Sequence, residues 1–184
     1  MGFFDFLKRT SDEKADVSGV ELTLDQMPTG CYVDYDLTTW KVTAANLYDW
    51  DGEFTREWQL ESSSKTVFLE LEVDDEAFWS MSESIPYKSL DKKVQNVLAE
   101  TGDPPKTIVH EGVTYDQQTV SGGFFLRNGQ EDKIAKPQEL LVWDFESRDG
   151  SKFLSIEQWG ENDFSASTGR AVKEYEFTNL TPSV

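Results

Sequence analysis

A single cysteine (Cys31) and a single histidine (His110) stand among the 184 residues of this chain. One thiol excludes any disulfide framework within the chain and any multi-cysteine zinc site. One imidazole excludes every site that needs two. Basic residues are scarce as well: 17 Lys and Arg face 35 Asp and Glu, a formal net charge of −18. A field of that sign repels phosphate backbones and anionic membranes, so nucleic-acid binding is not expected. The same field attracts cations, polyamines and basic protein surfaces, and it also favours plain solubility. No stretch approaches the roughly 20 apolar residues of a membrane-crossing helix, and the first residues lack the basic-then-apolar pattern of a secretory signal. These absences set the expectation of a soluble, cytoplasmic protein with no metal and no cofactor.

What the chain does have is aromatic side chains: 12 Phe, 6 Trp and 6 Tyr. They are too many for a disordered chain and large enough to build a core. The length fits one domain, or two small repeats sharing one core. An internal register favours the second arrangement. Residues 58–82 align without a gap on residues 143–167 at a constant offset of 85. Trp58, Glu61, Ser62, Phe68, Leu69, Glu72, Glu76, Ser80 and Ser82 recur as Trp143, Glu146, Ser147, Phe153, Leu154, Glu157, Glu161, Ser165 and Ser167. The expectation is a diverged internal duplication of a β-rich unit.

Period-two alternation supports strands through both copies. In 54–61 Trp58 and Leu60 share one face, while Glu57, Gln59 and Glu61 share the other. In 66–73 Val67, Leu69, Leu71 and Val73 alternate with Glu70 and Glu72. Asp51-Gly52 is a hairpin signal. Further strands are expected at 31–36, 40–44, 46–50, 107–111, 113–120, 124–127, 140–146 and 152–159, with 172–178 closing the sheet. One internal helix is expected at 89–100, with Ser89 as its cap, an apolar stripe of Leu90, Val94, Val97 and Leu98, and Gly102 as its stop. The chain divides into an N-terminal Phe-rich segment and linker (1–19), a first β repeat (20–86), a connecting helix (87–106) and a second β repeat (107–184). The fold class that follows is mainly β: an internally duplicated antiparallel β sandwich or pair of half-barrels, with the one connecting helix and a short N-terminal helix.

The order Gly30, Val33, Tyr35, Trp40, Val42, then Glu57-Trp58-Gln59-Leu60, then Phe68-Leu69-Glu70 resembles the bacterial domain of unknown function numbered 4178. That family has a glycine before a valine-tyrosine strand, an aromatic strand, a Glu-Trp-x-Leu strand and a strand with an aromatic-Leu pair. The second copy keeps Tyr115, Trp143, Phe153-Leu154 and Glu157 but carries Val142 where the first has Glu57. The resemblance implies no activity and no catalytic residues. It implies an accessory role near envelope-stress proteins of the phage-shock protein A type, small membrane proteins or polyamine synthases.

Catalysis is not expected. The carboxylate pairs Asp34/Asp36, Asp49/Asp51, Asp74/Asp75/Glu76 and Glu161/Asp163 fall at turns or on strand faces read as solvent-facing, where 35 acids must be placed. Asp49–Glu53 has its glycine too early for an EF-hand and no glutamate at the twelfth loop position. Cys31 and His110 lie in different copies with no motif around either, and Gly122-Gly123 reads as a bulge or kink. Trp58 and Trp143 are expected as twin core residues. Two candidate sites remain. Phe3, Phe4, Phe6 and Leu7 could dock on the domain, a protein partner or, weakly, a membrane surface. Trp50 and Trp159, with Asp49, Asp51, Glu161 and Asp163, could line a groove for a small ligand or polycation. The first reading is a non-enzymatic acidic adaptor with a protein partner, and the alternative is a β domain that binds a small ligand or polyamine.

Overall fold

The structure, a computed structural model, describes residues 22–183. The expected Asp51-Gly52 hairpin forms between β2 (Thr38–Trp50) and β3 (Glu53–Glu61). Both turn residues have positive φ, 62° and 97°, as a two-residue hairpin loop of the primed type requires. The Asp49 carboxylate accepts the Gly52 N–H at 2.8 Å and closes the turn. β1 (Tyr32–Tyr35) pairs antiparallel with β2 across a second two-residue turn, Asp36-Leu37, again with positive φ at both.

The meander continues through β4 (Thr66–Val73) and β5 (Ala77–Ile85), then α1 (Lys92–Thr101) leads to β6 (Thr107–His110). β7 (Val113–Leu126), β8 (Pro137–Ser147), β9 (Phe153–Gly160) and β10 (Asp163–Val172) form a second meander, and β11 (Thr178–Thr181) ends the described chain. The strands make one antiparallel sheet in the order β11-β1-β2-β3-β4-β5-β10-β9-β8-β7-β6. A further pairing, Leu47–Asp49 of β2 with Phe124–Leu126 of β7, closes eight of the strands into a ring. The mainly β expectation holds, and the architecture is one closed barrel with three outlying strands. Closure removes the edges that two separate half-barrels would have left open.

The apolar residues lie on the outside of this ring. Trp58, Leu60, Leu69, Leu71, Trp79 and Met81 face outward and are covered by β1, the turn at Leu24–Gln26, Met27 and Phe177. Trp143, Phe145, Leu154, Ile156 and Ala166 do the same on the second meander, beneath Leu90, Val94 and Leu98 of the α1 segment and Ile108 of β6. Trp58 and Trp143 are wholly buried, as twin core residues should be. Each also ties a cover to the barrel: Trp58 Nε1 donates to the Met27 carbonyl at 2.9 Å, and Trp143 Nε1 to the Asp103 carboxylate at 3.0 Å.

Several local expectations change. The helix starts at Lys92 with Asp91 as its cap, its carboxylate accepting the Lys93 N–H at 2.7 Å. Ser89 instead closes the short turn Tyr87–Ser89 by donating to the Pro86 carbonyl. Gly102 ends the helix in the left-handed conformation, as expected. The two strands expected at 113–120 and 124–127 are one, β7, with its irregularity at Gln117–Thr119. Gly122-Gly123 runs through β7, and at Gly123 a Cβ would lie 2.5 Å from the Asp49 carbonyl oxygen, so the ring-closing approach to β2 needs glycine there. The segment expected as strand 172–178 holds the turn Glu174–Glu176 between β10 and β11. The strand pairing also does not repeat at the offset of 85. Trp58 stands opposite Leu69, but Trp143 stands opposite Ile156 instead of Leu154. The slip is of two residues, so every side chain keeps its face.

Candidate functional site

Alternation that puts Trp and Leu outside puts their polar neighbours inside the ring. Glu57 of β3, Glu70 and Glu72 of β4, Asp144 and Glu146 of β8 and Glu157 of β9 all fall on inward positions. Between them stand Ser80 and Ser82 of β5, Ser155 of β9, and Ser165 and Ser167 of β10. By register the one basic residue on this face of the ring strands is Lys41, opposite Glu61 at the exposed start of β2, and no Lys or Arg lines the cavity around these acids. The three ion pairs among the described residues, Arg56–Asp25, Lys65–Glu83 and Arg148–Asp116, involve none of these acids.

The acids sense one another across the lumen. β3 and β9 are four strands apart in a ring of eight, yet Glu57 and Glu157 raise each other's energy when charged. Glu57 is 5% exposed. Asn46 Nδ2 donates to its Oε1 at 2.7 Å and Tyr48 Oη to its Oε2 at 3.2 Å. Burial nevertheless dominates those two bonds and pushes the Glu57 carboxyl up to about 7. Glu157 is raised as well, chiefly by burial, with Ser165 Oγ donating to its Oε2 at 2.7 Å in opposition. Glu72 is raised by burial and then by Asp144. Asp144 is held by Ser155 Oγ at 2.6 Å and Thr119 Oγ1 at 3.0 Å.

Glu70 differs from Glu57, Asp144 and Glu157: like Glu72 and Glu146, its carboxylate accepts no hydrogen bond from any described residue. Burial, followed by Glu57, Glu157, Glu72 and Asp144, holds its carboxyl well above the usual carboxylate range. It faces a cavity of about 270 Å³ shared with Glu72, Asp144 and Glu146, four serines and the rings of Phe78 and Phe153. Those two rings meet edge to face with centroids 6.0 Å apart. Glu72, Thr119 and Asp144 also line a wider cleft of about 750 Å³ under the β2–β3 hairpin tip. That cleft gives the lumen an opening where β2 and β7 diverge beyond their short pairing. Tyr48, Leu140 and Val142 with Trp50, Phe125 and Trp159 fill another part of the interior as an aromatic plug, and Trp50 also borders the cleft. Among the described residues no three of His, Cys, Asp and Glu come together closely enough to hold a metal ion.

The groove residues expected from sequence are placed differently from one another. Trp50 and Trp159 do converge, but inside the barrel, in the aromatic plug. Trp50 Nε1 donates to Thr55 Oγ1 at 3.0 Å. Trp159 Nε1 donates to Ser165 Oγ at 2.8 Å, and that hydroxyl serves Glu157. Asp49 caps the β2–β3 turn, Asp51 sits in it, and Glu161 and Asp163 are exposed at the β9–β10 turn. These four acids stand apart from the cavity acids. Phe3, Phe4, Phe6 and Leu7 lie outside the described residues. The lumen acids were missed because a Glu opposite a Trp on a strand reads as solvent-facing. One signal was available: a wet strand face normally mixes both signs of charge, and the charged residues on these faces around the cavity are all acids.

The fold and the lumen define a closed antiparallel barrel with its apolar cores outside and an acidic, hydroxyl-lined interior. The chain belongs to the family described as Domain of unknown function (DUF4178), which matches residues 28–174 and therefore every strand of the ring. It is similar to an uncharacterized protein of Aquifex aeolicus (strain VF5), 26% identical over 185 residues and spanning 99% of each chain. No solved structure matches the chain.

Proposed function

We propose that this chain is a non-enzymatic binding protein whose barrel lumen takes a small organic cation, an amine or polyamine. The observation that carries this reading is Glu70: a carboxylate turned into a cavity, without a hydrogen-bond partner or counter-ion among the described residues, and ringed by other acids. Glu70 is half-buried, and a carboxylate in that setting favours its protonated form unless it receives a positive charge. An ammonium supplies the charge and several N–H donors, which the serine hydroxyls and the remaining carboxylates accept. The methylenes of an alkyl amine pack against Phe78 and Phe153, whose ring faces also attract the cation. The acids are coupled but too dispersed to converge on one metal ion, which favours a ligand that spreads its charge.

The test is thermal unfolding with a series of linear amines against the matched neutral diols, at fixed ionic strength. The amines should raise the melting temperature in a saturable way, and Glu70→Gln should remove the effect. Equal behaviour of amines and diols, or an unchanged response in Glu70→Gln, would sink the reading. The adaptor reading through Phe3, Phe4, Phe6 and Leu7 is a separate proposal and draws nothing from the lumen. An internal duplication is likewise kept as a proposal, supported by the two four-stranded meanders β2–β5 and β7–β10 that make the ring.

A further inference from the structure

A second cavity lies outside the barrel, where the two covered faces meet over the β5–β10 seam. It measures about 660 Å³. Arg170 and Thr168 of β10 and Met81 and Glu83 of β5 meet there in register. The β1–β2 turn flanks it on one side and the β6–β7 turn on the other. Arg170 is exposed, yet it is held in place. Its Nη2 donates to Tyr35 Oη, and its guanidinium carbon lies 5.8 Å from the centroid of the Tyr35 ring. That ring is 6% exposed and stacks on Phe177 with centroids 4.5 Å apart.

In a chain with 35 acids and 17 bases, a surface arginine would be expected to find a carboxylate. Arg170 has none within ion-pairing distance among the described residues. Lys152 lines the same cavity and also lacks an ion pair there, while Lys65 and Glu83 satisfy each other at 2.9 Å. The tyrosine bond occupies one of the several donors of the guanidinium fork, whose planar geometry matches a carboxylate. Because the aromatic platform already fixes the side chain, little rotamer freedom remains to be lost on binding. Asp36 and Glu111 also line the cavity, and they oppose a doubly charged phosphate group more strongly than a single carboxylate group.

We infer that this groove is a carboxylate-binding site, with Arg170 as the receiving group and Lys152 as the second positive charge. The carboxylate is that of an acidic peptide side chain or of a free small acid, and the site is independent of the lumen. The test follows the arginine Nε–H signals of the full chain by NMR. It is titrated separately with a short blocked Glu-Gly peptide, with succinate and with inorganic phosphate. One of the two carboxylate probes should shift the Arg170 signal to saturation, and groove residues should respond about tenfold more weakly in Arg170→Gln. Stronger binding of the peptide assigns the site to a protein segment, and stronger binding of succinate assigns it to a small acid. Glu70→Gln should leave either response unchanged. The inference is overturned if neither carboxylate saturates, if phosphate binds more tightly than both, or if Arg170→Gln responds like the parent.

Discussion

Replacing Glu57 by Gln should stabilise this protein at alkaline pH and leave it nearly unchanged in acid. The amide keeps the shape of the side chain. Its oxygen still accepts from Asn46, and the Tyr48 hydroxyl can turn to accept from the new NH₂ group. What disappears is a negative charge that burial disfavours. The sign follows from the direction of the shift. The folded carboxyl is raised from 4.5 to about 7, so the folded state holds its proton over a range where the unfolded chain has released it. The group therefore contributes stability fully below about 4.5 and loses it as pH rises through about 7. At 1.36 kcal/mol per pH unit the whole effect is on the order of 3 kcal/mol, an upper figure because neighbouring acids share the titration. For a chain of this length that corresponds to a rise of roughly 6–12 °C in melting temperature at pH 8.5. Urea denaturation of parent and variant at pH 5 and pH 8.5 measures it. Equal loss of stability in the variant at both pH values would show that Glu57 is retained for its bonds, and the buried-charge argument would fail.

Three further outcomes follow from the same geometry. Asn46→Ala removes the donor to Glu57 and the oxygen that accepts the Asn128 N–H at 2.9 Å, so urea melts at pH 8 should show a loss of about 2–4 kcal/mol. Trp143→Ala opens a hole under the α1 cover and frees Asp103, with an expected loss of about 3–5 kcal/mol and faster amide exchange in α1 than in β3. Gly123→Val pushes a side chain against the Asp49 carbonyl and Trp50, and hydrogen exchange should report the short β2–β7 pairing opening first while β3–β4 stays protected.

Much of the fold was legible because alternation is a local property. Trp58 and Leu60, or Val67, Leu69 and Leu71, announce a strand with one apolar face, and Asp51-Gly52 announces its turn. Which side of the sheet that apolar face occupies is not local. The same pattern fits a sandwich with a dry interior and a barrel with its cores on the outside, and the choice rests on Gly123, Asn128 and Gln130, which bring β7 and its following loop against β2. Once the ring closes, Glu57, Glu70 and Glu157 change from solvent-facing to enclosed without any change in the strand assignment. The small polar runs of β5 and β10, Ser80-x-Ser82-x-Ser84 and Ser165-x-Ser167, carried too weak a signal to read as strands alone. They are strands because the lumen side needs hydroxyls and the other side is built from Trp79, Met81, Ala166 and Val172.

The candidate site was legible only in its chemistry. The acidic composition raised the expectation of a cationic ligand, and Trp50 and Trp159 were expected to share a groove; the two do come together, in the interior. Asp49, Asp51, Glu161 and Asp163, the acids the sequence joined to them, lie at turns, apart from the acids of the lumen.

The most direct test of the acidic-lumen account is calorimetric titration of the full chain with a linear triamine at pH 7.5, in two buffers of different ionisation enthalpy. Glu70→Gln and the exposed control Glu161→Gln are run beside it. The account predicts saturable binding accompanied by proton release, because Glu57, Glu70 and Glu157 must ionise to receive the amine. It also predicts affinity that falls as pH drops from 8 to 5.5, and loss of binding in Glu70→Gln but not in Glu161→Gln. Weak binding without proton release, equally affected by either substitution, would show a diffuse attraction to the acidic surface and contradict the account.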